Sequence, residues 1–218
     1  MRRSWRAQAG AVSAIAVALL AVPGAASAAA LTTPNLIENP GAEAQPGSGD
    51  GSTVPVPFWT VPAGGTFTAV KYGASGGFPT ASAPGPKKRG ANFFAGGPGS
   101  DAARADQAVP LSAYATIIAH GATYKLGAWL GGFASQDDNT TVTIAWEKAN
   151  GTLLGAVMIG PVSAAARQDV TGMLYRAKAG TIPHGTAKAV VNVEMTRAAG
   201  SYNDGYADNL SLTLTAKS

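Results

Sequence analysis

The apolar residues of this chain come in short alternating runs, broken every 8–12 residues by glycine, proline or asparagine, and no long helical period interrupts them. That pattern constrains the fold most. Runs rich in Val, Ile, Thr and aromatics between turn residues read as strands with one face in a core. Thr66–Tyr72, Ala91–Ala95, Ala105–Leu111, Tyr124–Phe133, Lys188–Met195 and Asn209–Thr215 are such runs. Thr140–Glu147 and Thr152–Ile159 flank Asn150-Gly151, the pair that best tolerates the positive φ angles of a tight hairpin. A further turn is expected at Pro183-His184-Gly185. Glycines are spread through the chain rather than gathered in a linker. The expectation is all-β: a single β-sandwich of jelly-roll type.

The first residues belong to a different class. Arg2, Arg3 and Arg6 precede an apolar run from Ala11 to Val22, and Ala26-Ser27-Ala28 follows the break at Pro23-Gly24. This is the layout of a cleaved signal peptide over residues 1–28, with the sandwich domain over 29–218. The run is short for a membrane span, so no stable membrane insertion is expected. Arg2-Arg3-Ser4-Trp5 leaves export of an unfolded chain or by the twin-arginine route both open. The place of work is secreted, extracellular.

The chain has 16 basic and 12 acidic residues, net +4; without the three leader arginines 13 basic residues face 12 acidic ones, net +1. That leaves no electrostatic footprint for nucleic acid. Lys87-Lys88-Arg89, between Pro86 and Gly90, reads as a solvated loop. There is no cysteine, so neither disulfides nor thiol chemistry is open to it.

Two segments carry a family likeness. Asn35–Ala44 (NLIENPGAEA) holds an Asn-Pro-Gly-x-Glu turn, and Tyr202–Leu214 (YNDGYADNLSLTL) closes the chain with alternating leucines. Together they resemble the galactose-binding-like jelly-roll superfamily, best known from the carbohydrate-binding modules of secreted enzymes. Gly90–Gly97, with Gln107 and Leu111-Ser112, is similar to a stretch recurring in secreted bacterial jelly-roll proteins. The resemblance implies a structural calcium held between first turn and last strand, with Glu43 and Asp208 in the matching positions. Ala42 stands where the family usually has a bulky aromatic. It further implies that Trp59 is a packing residue. The alternative for the two acids is ordinary turn capping, and Asp204 in Asn203-Asp204-Gly205 reads first as a turn residue.

A sugar site needs exposed rings and polar partners. Phe78 and Tyr202, in glycine-rich loops, are the expected exposed rings, with Tyr72, Asn92 and Gln107 as edge or polar partners. Trp129 and Trp146 lie in alternating strands and read as core. Catalytic patterns are poor. Gly73-Ala74-Ser75-Gly76-Gly77 matches G-x-S-x-G, but Phe78-Pro79 follows where a nucleophile elbow needs a helix. His120 and His184 precede turn glycines, and Asp137-Asp138 read as solvated neighbours rather than facing acids. Asn139-Thr140-Thr141 matches a glycosylation acceptor, a motif frequent by chance. The leading expectation is non-catalytic binding of a carbohydrate or another cell-surface polymer. An extracellular structural or interaction protein comes second, and a secreted hydrolase third.

Overall fold

The computed structural model describes residues 31–217; the expected leader lies outside them. Nine strands form two antiparallel sheets. In chain order they are β1 (Thr68–Lys71), β2 (Asn92–Pro98), β3 (Ala102–Pro110), β4 (Thr123–Gly132), β5 (Asn139–Glu147), β6 (Leu153–Ile159), β7 (Gly172–Thr181), β8 (Lys188–Thr196) and β9 (Tyr202–Thr215). One five-residue helix, α1 (Ala115–Ala119), joins β3 to β4. The sheets run β1-β2-β9-β4-β7 and β3-β8-β5-β6. This is the expected two-layer sandwich. Among the described residues no helix is long and apolar enough to cross a membrane.

The alternation expected for each strand is what fills the core. Leu126, Ala128 and Leu130 of β4 face Val142, Ile144 and Trp146 of β5 and Val191, Val193 and Met195 of β8 in one buried cluster. Trp59 is buried and packs its ring 5.6 Å from Phe94 and 6.3 Å from Phe67. Trp146 is buried beside Tyr124, with ring centroids 5.0 Å apart.

Two elements differ from expectation. β7 was not anticipated, because Arg176, Ala177, Lys178 and Ala179 lack the β-branched signature; its full ten-residue ladder with β4 supplies the pairing instead. β9 begins at Tyr202 rather than Asn209. Asn203 is buried and donates Nδ2 to the Met195 carbonyl at 2.9 Å, so Asn203-Asp204-Gly205 is extended strand and not a turn.

The start of the described chain lies along the end of β9. Thr33 N donates to Leu214 O, Leu36 N to Leu212 O, and Leu210 N to Pro40 O, all at 2.9 Å. Asn35 reinforces this by donating to Leu210 O and accepting from Leu212 N. β9 itself bulges at Asn209, whose backbone is left-handed at φ 47, where its register with β4 shifts. Before the bulge Tyr206 and Asp208 point away from the sandwich core; after it Leu210, Leu212 and Leu214 point in.

Candidate functional site

The five-stranded sheet turns its outer face to a second, smaller apolar cluster: Val70, Phe78, Phe93, Ala95, Met173 and Tyr206. The glycine-rich loop of residues 73–90 folds back over it. Phe78 reaches into the cluster, 5.2 Å from the Tyr202 ring and 6.2 Å from both Phe93 and Tyr206. Its expected exposure is therefore corrected: it is 7 % exposed. A loop rich in glycine reads as open, but here it carries an anchor that gains a buried aromatic nest. Tyr202 is half-buried, and its hydroxyl is buried without a partner.

Arg89 holds the rest of that loop. Its guanidinium donates to the carbonyls of Pro86, Thr80 and Ala83, each at 2.9 Å, and sits 4.9 Å over the Tyr72 ring. The Lys87-Lys88-Arg89 run is thus solvated only in part. Tyr72 donates its hydroxyl to Asp208 Oδ2 at 2.7 Å.

The two amides expected as ligand partners are turned inward. Asn92 is buried, accepts from Gly47 N at 3.1 Å, and donates to Ala42 O and Gln45 O. Gln107 is buried, accepts from Glu38 N, and donates to Glu38 O and Phe58 O. Their hydrogen-bonding groups are occupied within the chain. Asp138, read as solvated, is fully buried: its carboxylate accepts from the backbone N–H groups of Ala198, Ala199 and Asp204.

First turn and last strand do meet. Glu43 Oε1 accepts from Ala91 N at 3.0 Å and Asn92 N at 2.8 Å. Asp208 Oδ1 accepts from Asn209 N at 2.6 Å, and it lies on Gly41, where a Cβ would come within 3.0 Å of it. Burial pushes the Asp208 carboxyl up to about 7; Tyr72 and Asn209 N hold it down, while the charge of Glu43 pushes it further up. Among the described residues no three or more of His, Cys, Asp and Glu come together so as to hold a metal ion by themselves. The two carboxylates, with carbonyl or water oxygen to complete the set, suit a hard cation of the calcium type rather than zinc. Farther along β9, burial raises the Asp204 carboxyl to about 6, while the Tyr206 hydroxyl donates to it at 2.5 Å.

At the margin of this cluster the same outer face carries a partly open pair. Trp129 of β4 and Tyr175 of β7 are register partners, with ring centroids 5.7 Å apart and planes tilted 53°. Trp129 is half-buried, not core, which corrects its sequence reading; Tyr175 is 43 % exposed. The Tyr175 ring lies across Gly127, where any Cβ would collide with its hydroxyl. Ser211 of β9 borders the same spot. Lys125 and Thr213 are register partners in the next row. Aromatic faces with a polar margin can stack the apolar face of a ring-shaped ligand while the margin meets its hydroxyls. Alternation alone could not find this pair, because it separates two faces without saying which is covered.

The histidines stand apart from this face in role. His120 ends α1, with Nδ1 2.8 Å from the Thr116 carbonyl, and His184 is exposed in its turn.

No protein-family model matches the chain, and no curated protein matches it in sequence. Solved structures do match in shape. A family 16 carbohydrate-binding module is 24 % identical, with a TM-score of 0.51 over 82 % of this chain and 99 % of that one. The chain shares the β-sandwich jelly-roll fold of that module. A cyclase from Fischerella sp. TAU shares the fold at 15 % identity, with a TM-score of 0.52 over 87 % of this chain and 100 % of that one. A bacteriophage CBA120 tailspike enzymatically active domain aligns at 18 % identity and a TM-score of 0.47, over 83 % of this chain but only 21 % of that one. One fold thus serves a binding module and a cyclase, and the likeness extends to the fold alone.

Proposed function

We propose that this jelly roll is a secreted, non-catalytic binding module for a carbohydrate or another cell-surface polymer, received on the outer face of the five-stranded sheet. The observation that carries the reading is the Trp129–Tyr175 pair, a partly open aromatic surface at the margin of the cluster that the loop of residues 73–90 covers. Tyr72, Phe78, Asn92 and Tyr202 act beneath and beside that face, fixing the roof and the first turn, while Gln107, on β3 of the other sheet, braces Glu38 and Phe58. The kinship in fold with a carbohydrate-binding module supports the ligand class. Glu43 and Asp208 hold a structural calcium that fastens the first turn to β9.

Affinity electrophoresis through soluble xylan, β-1,4-galactan, glucomannan and mixed-linkage β-glucan tests the ligand class. At least one should retard the protein, and Tyr175→Ala should weaken that retardation about tenfold, as truncation of an aromatic anchor does. Because Tyr175 is 43 % exposed and belongs to neither buried cluster, the melting temperature should change little. A wild-type protein that no polysaccharide retards would leave the structural or interaction role standing in place of this one.

A further inference from the structure

We propose that Phe58 is a second contact for the same polymer, on the flank of the sandwich, with Glu38 as its polar companion. This rests on the carbohydrate-binding reading. Val56-Pro57-Phe58-Trp59 is a tight turn closed by Trp59 N donating to Val56 O at 3.2 Å. Proline at its second position and positive φ at its third are the marks of a type II turn. Such a third position takes glycine or asparagine freely. Here it is phenylalanine, at φ 72. A bulky side chain in that region strains its backbone.

The surroundings dictate the turn whatever residue stands there. The Pro57 carbonyl accepts from Asn39 Nδ2 at 3.0 Å, the Phe58 carbonyl accepts from Gln107 Nε2 at 3.1 Å, and the buried Trp59 donates Nε1 to Asn39 O at 3.2 Å. Yet the strained residue returns nothing to the fold by packing. Its ring is 59 % exposed and belongs to neither apolar cluster. Strain held by its neighbours around an idle aromatic ring is a feature of ligand clamps.

The chemistry beside the ring selects the ligand. Gln107 bonds the backbone of Glu38 with the same amide that bonds Phe58, which sets the two residues side by side. Glu38 is exposed, and among the described residues its carboxylate joins no salt bridge. An exposed aromatic ring and an unpaired carboxylate on residues whose backbones are tied together suit a pyranose, whose C–H face stacks and whose hydroxyls donate. The carboxylate also repels polyanions, so a neutral polysaccharide is the ligand class.

Phe58→Gly separates contact from fold. In the same electrophoresis, this variant of the full chain should bind the retarding polysaccharide about tenfold more weakly. Its melting temperature should hold or rise by roughly 2–4 °C as the strain is released. Phe58→Ala should lose binding equally. Retention within twofold of wild type in both variants, while Trp129→Ala loses it, would remove Phe58 from the site and leave the carbohydrate reading intact. No retardation of wild type by any of the four polysaccharides would overturn both. A melting temperature lowered in Phe58→Gly would show that the ring packs, and would overturn the proposal. So would sedimentation showing a wild-type dimer that Phe58→Gly dissolves, with polysaccharide binding unchanged, since the ring would then serve a second copy of the chain.

Discussion

Replacing Arg167 by methionine is expected to cost the domain about 3–5 kcal/mol, a fall of about 10 °C or more in melting temperature for a chain of this size. Arg167 ends a short 3-10 helix and is 5 % exposed. One guanidinium nitrogen donates to the carbonyls of Gly132, Ala134 and Val170, and the other to that of Gln136. Those carbonyls line the exit from β4 and the approach to β7. Methionine fills much of the volume but leaves four acceptors without their donor, and each buried orphan costs about 1–3 kcal/mol before water or relaxation recovers part of it. Burial lowers the pKa of the guanidinium, while Tyr206, Asp137, Asp169 and Asp138 act to raise it. Arg167→Lys keeps the charge but loses the planar fork, so it should recover less than half of the loss. Equilibrium unfolding in urea measures both variants. A cost below about 1 kcal/mol for methionine, less than one orphaned carbonyl, would mean that the four bonds do not act in the folded protein.

Calcium should raise the melting temperature and chelator should lower it. A ligand bound only by the folded state, at about a hundred times its dissociation constant, stabilises by roughly 2.7 kcal/mol, or several degrees here. Two features set the expectation. Asp208 is completely buried with no side-chain cation bonded to it, and Glu43 adds its charge nearby. A divalent cation between them reverses that repulsion and draws the Asp208 carboxyl back toward its ordinary range. Asp208→Asn should abolish the calcium response while keeping the hydrogen bond from Tyr72. Superimposable melting curves in chelator and in millimolar calcium, with no metal by elemental analysis, would exclude the ion.

Strand after strand was legible because β-branched residues alternate against turn residues, as from Thr140 to Ile159 around Asn150-Gly151. The meeting of the first turn with the last strand, implied by the likeness of Asn35–Ala44 and Tyr202–Leu214 to one family, is seen in the bonds from Leu36 N to Leu212 O and from Leu210 N to Pro40 O. What the sequence withheld depends on contacts between distant segments. Phe78 sits in a loop whose composition suggests exposure, and only the nest made by Phe93, Tyr202 and Tyr206 draws it in. Asp138 looks like one of two solvated neighbours until the N–H groups of Ala198, Ala199 and Asp204 arrive from sixty residues and more away. β7 is held along its length by its ladder to β4, and only Met173, Leu174 and Tyr175 near its start add side-chain packing. Trp129 obeys the alternation that marks core residues, but it lies on the outer face, where it packs at the edge of the second cluster and stays half-buried.

The antiparallel lacing of the first residues along β9 also decides how the domain meets mechanical load. Leu31 O accepts from Ala216 N at the outermost rung, and the rungs at Thr33–Leu214, Leu36–Leu212 and Pro40–Leu210 follow inward. Force applied at residues 31 and 216 therefore falls on one rung at a time, as in a zipper, instead of shearing all of them together. Pulling between these two points should give a lower rupture force than pulling between residue 31 and the middle of β4, and equal forces in single-molecule stretching would contradict the geometry. Glu43 and Asp208 stand just past the innermost rung, so an ion there would be the catch on which the zipper stops.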